Sequence, residues 1–262
     1  MGRTRKLFIF DYDGIISAPE KEKLKKLNLV GREVLEWMGW SIAKNSSIPG
    51  KLYLYGIVAP FLKIYKKIAD IDKERYERRI LEMFERMVFS LKPYWNWIEK
   101  DIPKYSECIL ETAEHFLREL SRKEDGKAVI LSSGAPKNII EDCLEYRGID
   151  GIEITANSLL ILYNRIYGFE KDSFFSDRKG KKEKTKEIVE EYNPEEIKGA
   201  GDNYSDKGVA QVIKKRGGEF FTISDGDKDL IEYVKKKFGE EYVVSSPRTI
   251  FSKFYKELLW VI

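Results

Sequence analysis

Lys6-Leu7-Phe8-Ile9-Phe10-Asp11-Tyr12-Asp13-Gly14 drives a short apolar run straight into two carboxylates. Lys6–Phe10 reads as a buried strand that ends in an acidic loop. Residues two apart on a strand share a face, so Asp11 and Asp13 can address one site, although the pair lies where the chain begins to turn. Gly14 lets the backbone turn tightly and come close to a phosphate.

On the C-terminal side the pattern becomes helical. From Lys21 to Trp40, Leu24, Leu27, Val34, Leu35 and Met38 fall on one helix face. Tyr76, Ile80, Met83, Phe84, Met87, Val88 and Leu91 then recur at three and four residues. Between Ile16 and Tyr105 no strand is predicted, and the segment is rich in Trp and Tyr. Beyond it, strands and helices alternate. Ile109–Leu120 is a helix, and Ala128–Leu131 is a strand left at Ser132-Ser133-Gly134. Pro136 suits the first turn of a helix running to about Arg147. Ile152–Thr155 and Leu159–Tyr163 are short strands, and Lys181–Tyr192 is a helix. Ile197–Ala200 is a strand ending at Gly201-Asp202, followed by helix Asp206–Lys215, strand Phe220–Ile223 and helix Asp227–Lys237. Tyr242–Val244 and Phe251–Leu259 read either way. Such alternation implies an α/β fold, a Rossmann-like doubly wound parallel sheet. The expected organisation is an α/β core of residues 1–16 plus 106–262, with an inserted all-helical cap domain over 17–105.

In doubly wound sheets ligands bind where the strands end. Four segments deliver polar groups there: Asp11–Gly14, Ser132–Gly134, a lysine near Gly180, and Gly201–Asp206. Asp11, Asp202 and Asp206 supply hard oxygens that suit Mg²⁺ better than zinc. So many carboxylates at one edge repel each other unless a cation or a lysine offsets them. A serine hydroxyl and nearby backbone N–H groups can hold phosphate oxygens. An aspartate can attack phosphorus to give an acyl phosphate, which water then cleaves.

These segments resemble a known family. Phe8-Ile9-Phe10-Asp11-Tyr12-Asp13-Gly14 resembles the first motif of the haloacid dehalogenase superfamily, Val129-Ile130-Leu131-Ser132 its second, and Gly201-Asp202-Asn203-Tyr204-Ser205-Asp206 its fourth. Their order, with a helical insert after the first, resembles the members with a helical cap, the phosphoserine phosphatase-like branch being nearest. The resemblance implies that Asp11 is the nucleophile and a metal ligand. Asp13 would be the acid/base and would bind the metal through its backbone carbonyl. Ser132 would hold phosphate, together with Ser133, Gly134 and Gly14. Asp202 would be a metal ligand, with Asp206 in or just behind the coordination sphere. The family lysine opens the helix before the fourth motif, about 20 residues upstream of its first aspartate. Lys181 fits that spacing best, with Lys179, Lys182 and Lys184 as competitors. Glu20, nine residues after Asp11, matches a glutamate that binds the substrate amine in the phosphoserine phosphatase branch. An acidic residue at a helix start also serves simply as a helix-terminus charge. Ser133 stands where that branch commonly has glycine and Gly14 where it often has serine, and no cap arginine can be assigned to a substrate carboxylate. The function implied is a Mg²⁺-dependent phosphatase acting on a small phosphate monoester. The alternatives are a phosphotransferase on the same scaffold and a non-catalytic binding protein that retains the fold.

Composition narrows the rest. The net charge of +3 is not that of a dedicated nucleic-acid binder. Met1–Lys6 is basic, but Leu7–Phe10 is too short for a signal peptide. The uncharged stretch Leu52–Leu62 is about half the length needed to cross a bilayer. A cytoplasmic protein with a small phosphorylated metabolite as its partner is expected, without nucleic acid or membrane. Cys108 and Cys143 form no CxxC pair and read as buried thiols. His115, the only histidine, reads as structural. Lys, Glu and Arg are abundant and Gln211 is the only glutamine, a composition that resembles hyperthermophile proteins. The expected thermal midpoint therefore lies above the mesophile range of about 45–65 °C. Differential scanning calorimetry checks this, and a midpoint inside that range removes the inference.

Overall fold

The computed structural model describes residues 5–18, 34–54, 82, 84–171, 175 and 177–259. Strand β1 (Lys6–Phe10) lies in the middle of a six-stranded sheet. Its side chains alternate between two apolar layers, which is why its sequence carries no polar residue after Lys6. Leu7 and Ile9 point into one layer, Phe8 and Phe10 into the other, and all four are buried. Strand β2 (Gly126–Ser132) pairs parallel to β1 on one side, with Phe10 opposite Ile130. Strand β6 (Glu196–Ala200) pairs parallel on the other, with Phe10 opposite Ala200. The register therefore sets Asp11 and Gly201 side by side just past their strand ends, with Ser132, the last residue of β2, one step further along. Outside these lie β3 (Glu153–Ala156) on β2, then β7 (Glu219–Ile223) on β6, and β8 (Val243–Val244) on β7. The order β3-β2-β1-β6-β7-β8 is that of a doubly wound sheet.

Helices cover both faces. On the Phe8/Phe10 face, α5 (Glu111–Ser121) buries Ala113, Phe116, Leu117 and Leu120. Helix α10 (Pro247–Leu259), which the sequence left open, adds Phe251 and Phe254. The rings interlock: Phe8 meets Phe116 at 5.2 Å and Phe254 at 5.4 Å, both edge-on. On the opposite face α7 (Arg178–Tyr192), α8 (Asp206–Lys215) and α9 (Lys228–Lys237) bury Ile188, Val189, Val209, Ile213, Leu230 and Val234 against Leu7 and Ile9. Helix α6 (Lys137–Tyr146) follows β2, with Pro136 as its cap residue in extended conformation and not inside its first turn.

The regular elements among the described residues between 17 and 105 are helical, with isolated bridges at Ser17 and Tyr94. They are α1 (Val34–Asn45), α2 (Ile48–Tyr53), a π-helical turn (Phe84–Val88), a 3-10 turn (Phe89–Leu91), α3 (Asn96–Glu99) and α4 (Ile102–Ser106). Of the two long helices expected over Lys21–Trp40 and Tyr76–Leu91, residues 21–33, 76–81 and 83 lie outside the described residues, and the second ends in the π-helical and 3-10 turns over Phe84–Leu91. Met38, Ile42, Val88, Phe89, Ile98, Ile102 and Tyr105 belong to the same apolar cluster as Phe8 and Phe10, so this part shares its core with the sheet.

One strand escaped the sequence reading. Strands β4 (Leu159–Leu162) and β5 (Arg165–Phe169) form an antiparallel hairpin. The expected strand Leu159–Tyr163 stops one residue early because Tyr163 and Asn164 both have positive φ, 50° and 60°, as a two-residue hairpin turn requires. The hairpin leans on the helical segment: Trp95 N donates to Asn164 O at 2.9 Å and Ile166 N to Pro93 O at 2.9 Å. Among the described residues no helix is long and apolar enough to cross a membrane.

Phe254 is fully buried and touches four other aromatic rings, those of Phe8, Phe10, Phe116 and Phe221. Phe254→Ala is expected to cost about 3–5 kcal/mol, read as a lower midpoint in guanidinium denaturation. A cost under about 1 kcal/mol would place this face outside the core.

Candidate active site

Asp11 and Asp13 leave β1 in the expected alternation, with Tyr12 between them fully buried in the core. The Asp11 backbone N–H still donates to Ala200 O at 3.0 Å, so the residue is held as a continuation of the sheet. Gly14 then turns with φ of +81°, and its N–H donates to Ser17 O at 2.9 Å. A Cβ at Gly14 would lie 2.0 Å from an Asp202 oxygen. Glycine is therefore needed twice over, for its conformation and for the room it leaves to a carboxylate.

Of the four candidate lysines, geometry brings Lys181 to the carboxylates. Lys181 is wholly buried, and its Nζ donates to Asp11 Oδ1 at 2.9 Å and to Asp206 Oδ1 at 2.6 Å. Lys179 is exposed, Lys182 and Lys184 are half-buried, and Lys184 bonds Glu187. Asp177 caps α7 by accepting from Gly180 N at 2.7 Å. That fixes the first turn, from which Lys181 reaches inward.

Asp206 opens α8 and is fully engaged. Besides Lys181, it accepts from the backbone N–H groups of Asp202 and Asn203, both at 3.1 Å on Oδ2. A Cβ at Gly201 would lie 2.4 Å from the Asp206 carboxyl carbon, so that glycine admits the carboxylate beneath the loop. Asp202 is the opposite case: its Oδ1 is buried and meets no hydrogen-bond donor. Its backbone carbonyl accepts from Asp227 N at 2.7 Å, which ties the loop to the turn after β7.

Oxygen atoms of Asp11, Asp202 and Asp206 lie within 4.8 Å of one another. Three carboxylates thus converge on one ammonium. Burial, reinforced by Asp206 and opposed by Lys181, pushes the Asp11 carboxyl up to about 7. Burial, then Asp11 and Asp206, hold Asp202 well above the usual carboxylate range. Burial would lower Lys181, but Asp11 and Asp206 outweigh it and keep the ammonium charged. A cluster of hard oxygens in excess of its cations, with one buried oxygen lacking a partner, fits a divalent ion such as Mg²⁺.

Ser132 ends β2 and is buried, with its Oγ accepting from Ala135 N at 3.1 Å. Gly134 faces Asp13: a Cβ there would lie 3.8 Å from Asp13 Oδ2. The Tyr105 hydroxyl donates to Asp13 Oδ1 at 3.4 Å, and burial, then Asp13, keep it protonated. Ser133 is buried and is held by its carbonyl, which accepts from Asn157 Nδ2 at 2.8 Å. The structure thus brings together Asp11, Lys181, Asp202 and Asp206, with Gly14 against Asp202 and Asp13 beside Gly134. Glu20 lies outside the described residues. His115 is exposed on α5 and pairs with Tyr255 at 2.9 Å, as a structural histidine does.

Sequence reasoning missed Asn157, Asn203 and Tyr105. Asn157 is a buried clasp. Its Nδ2 also donates to Phe175 O and its Oδ1 accepts from Phe175 N, each at 2.8 Å. It thereby joins the Ser132–Gly134 loop to the approach to α7. The signal was Ala156-Asn157-Ser158 at a strand end, which is indistinguishable in sequence from an ordinary turn.

The Asp11 shift carries a sign. Unfolded, the carboxyl ionises near 3.9, and folded at about 7. Between these values the folded chain holds the extra proton, so this group makes stability fall as pH rises from about 4 to about 7. In metal-free buffer the thermal midpoint of Asp11→Asn is therefore expected to vary less with pH between about 4 and 7 than that of the unsubstituted chain. A variant whose midpoint falls with rising pH as steeply as that of the unsubstituted chain would overturn the raised Asp11 value.

No known protein family matches the chain. No curated protein matches it either. Solved structures do. A cytosolic 5'-nucleotidase IIIB bound to cytidine is 14% identical, with a TM-score of 0.66 over 97% of this chain and 88% of that one. A phosphoserine phosphatase from T. onnurineus in complex with NDSB-201 is 13% identical, with a TM-score of 0.51 over 95% and 94%. At these identities the likeness is one of architecture: the chain has the fold of these two structures, a doubly wound parallel sheet flanked by helices.

Proposed function

We propose that this chain is a phosphatase that cleaves a small phosphate monoester through an aspartyl-phosphate on Asp11, with Mg²⁺ held by Asp11, Asp202 and the Asp13 carbonyl. The observation that carries the reading is the buried Lys181 ammonium bridging Asp11 and Asp206 beside the unpaired Asp202 Oδ1. An ion pair sealed from water at the end of the central strand is costly to build and suits a site that must gather negative charge.

In this reading a phosphate enters against Lys181 and the Ser132–Gly134 loop. A carboxylate oxygen of Asp11 attacks phosphorus as the ester P–O bond breaks. Asp13 gives its proton to the departing alcohol oxygen. Ionised Asp13 then takes a proton from water, whose oxygen attacks the acyl phosphate. Phosphate leaves and Asp11 returns as a carboxylate. Lys181 stabilises charge on the transferring group, and Asp206 keeps the lysine in place. Bound Mg²⁺ would supply further positive charge for the phosphate oxygens. Residues 17–105 serve as a cap, and its α4 end reaches the site through Tyr105. Such a cover favours a small metabolite over a phosphoprotein, and we place the protein in the cytoplasm.

The test is phosphate release from a panel of phosphorylated metabolites, with and without Mg²⁺. The two similar folds put nucleoside monophosphates and phosphoserine at the head of it. Release is expected to require the metal and to fall by at least about a thousandfold in Asp11→Asn. Undiminished turnover in that variant excludes Asp11 as nucleophile. Transfer of phosphate to an added alcohol in preference to water would make the chain a phosphotransferase.

A further inference from the structure

We infer that Asn203 is a positioning residue for Asp11, one that fixes the plane of the carboxylate. Its Nδ2 donates to Asp11 Oδ2 at 3.2 Å. The orientation of the amide is dictated by its other end. Ser205 N donates to Asn203 Oδ1 at 3.0 Å, and the Ser205 hydroxyl donates to the same oxygen. A backbone N–H can only donate, so the oxygen of the amide must face Ser205 and the NH₂ must face Asp11. Ser205 is buried and stands next to Asp206 at the start of α8, and Asn203 N itself donates to Asp206 Oδ2 at 3.1 Å. The asparagine is therefore gripped by its backbone and by its side chain.

A carboxylate turns easily about its last bond, where the torsion is broad. Asp11 is restrained on both oxygens: Lys181 holds Oδ1 at 2.9 Å from α7, and Asn203 holds Oδ2 from the β6–α8 loop. Donors from two separate elements define the plane, and so the direction in which a lone pair points. Orientation of this kind raises the rate of attack without changing how tightly a substrate binds. A neutral amide also does this without cancelling the charge that makes the carboxylate nucleophilic, as a second lysine would.

This inference rests on Asp11 as the nucleophile. Asn203→Ala is expected to lower kcat by about tenfold or more, the loss of one hydrogen bond to a charged group, with KM within about twofold. Asn203→Asp keeps the acceptor for Ser205 but turns a repelling oxygen on Asp11, and is expected to lower kcat further. A kcat within about twofold of the unsubstituted chain in Asn203→Ala, or a loss carried wholly by KM, overturns the role. A second measurement does not depend on turnover. In a denaturation double-mutant cycle of Asn203→Ala with Asp11→Ala, the two positions are expected to couple by about fivefold or more in the folding equilibrium constant. Additive effects overturn the pairing. Should no phosphate ester be turned over at all, the proposed function fails, while the cycle still decides whether Asn203 holds Asp11.

Discussion

A lysine ammonium with no access to water is the constraint around which the site is organised. Lys181 leaves the first turn of α7 and ends between Asp11 on β1 and Asp206 on α8. Taking such a charge out of water costs several kcal/mol, and only well-formed partners offset it; removing one partner of a buried pair typically costs about 3–5 kcal/mol. Three elements distant in sequence are thus bound to one point. Among the described residues the same constraint leaves the site short of positive charge, since three clustered carboxylates, Asp11, Asp202 and Asp206, meet the one Lys181 ammonium, which is bonded to Asp11 and Asp206. The surplus is what makes the cluster suited to a metal and a phosphate, which bring opposite charges in together.

Around this point the loops are fitted by absence as much as by contact. Gly201 and Gly14 lack the atoms that would collide with Asp206 and Asp202. Asn157 uses both amide hydrogens and its oxygen within the protein, fastening the Ser132–Gly134 loop to Phe175. Asp227 holds the Asp202 carbonyl from the far side. The loops at the sheet edge are thus braced by one another as well as by Lys181 and Asp206 at the starts of α7 and α8.

Much of this was legible in the sequence, for physical reasons. A strand buried on both faces must be apolar throughout, so Leu7–Phe10 declared itself, and its abrupt meeting with Asp11 marked the sheet edge. Helices with one buried stripe, such as Glu111–Ser121, were legible for the same reason. For the lysine, spacing favoured Lys181 without separating it cleanly, because Lys179, Lys181, Lys182 and Lys184 share a charge and differ only in helix azimuth. Azimuth becomes decisive only once β1 is present to bury one of them. Strand β5 was hidden because Tyr163 and Asn164 reverse the chain without the glycine that usually announces such a turn. Asn157 and Asn203 were invisible as functional residues, since an asparagine in a loop looks the same whether its amide meets solvent or a carboxylate. Glu20 stays an expectation from spacing alone.

The central place of β1 bears on how the chain is made. Lys6 pairs with Gly126 and with Glu196, so once β1 has left the ribosome it has no sheet neighbour until far more of the chain has followed. At typical synthesis speeds of about 5–20 residues per second, that interval is on the order of ten seconds or longer. Throughout it, Leu7–Phe10 is an apolar segment with both edges unpaired, the kind of surface that other chains adhere to. Pairing over such separations is intrinsically slow. The strand that carries the central aspartate is therefore also the segment most dependent on protection while the protein is still being translated.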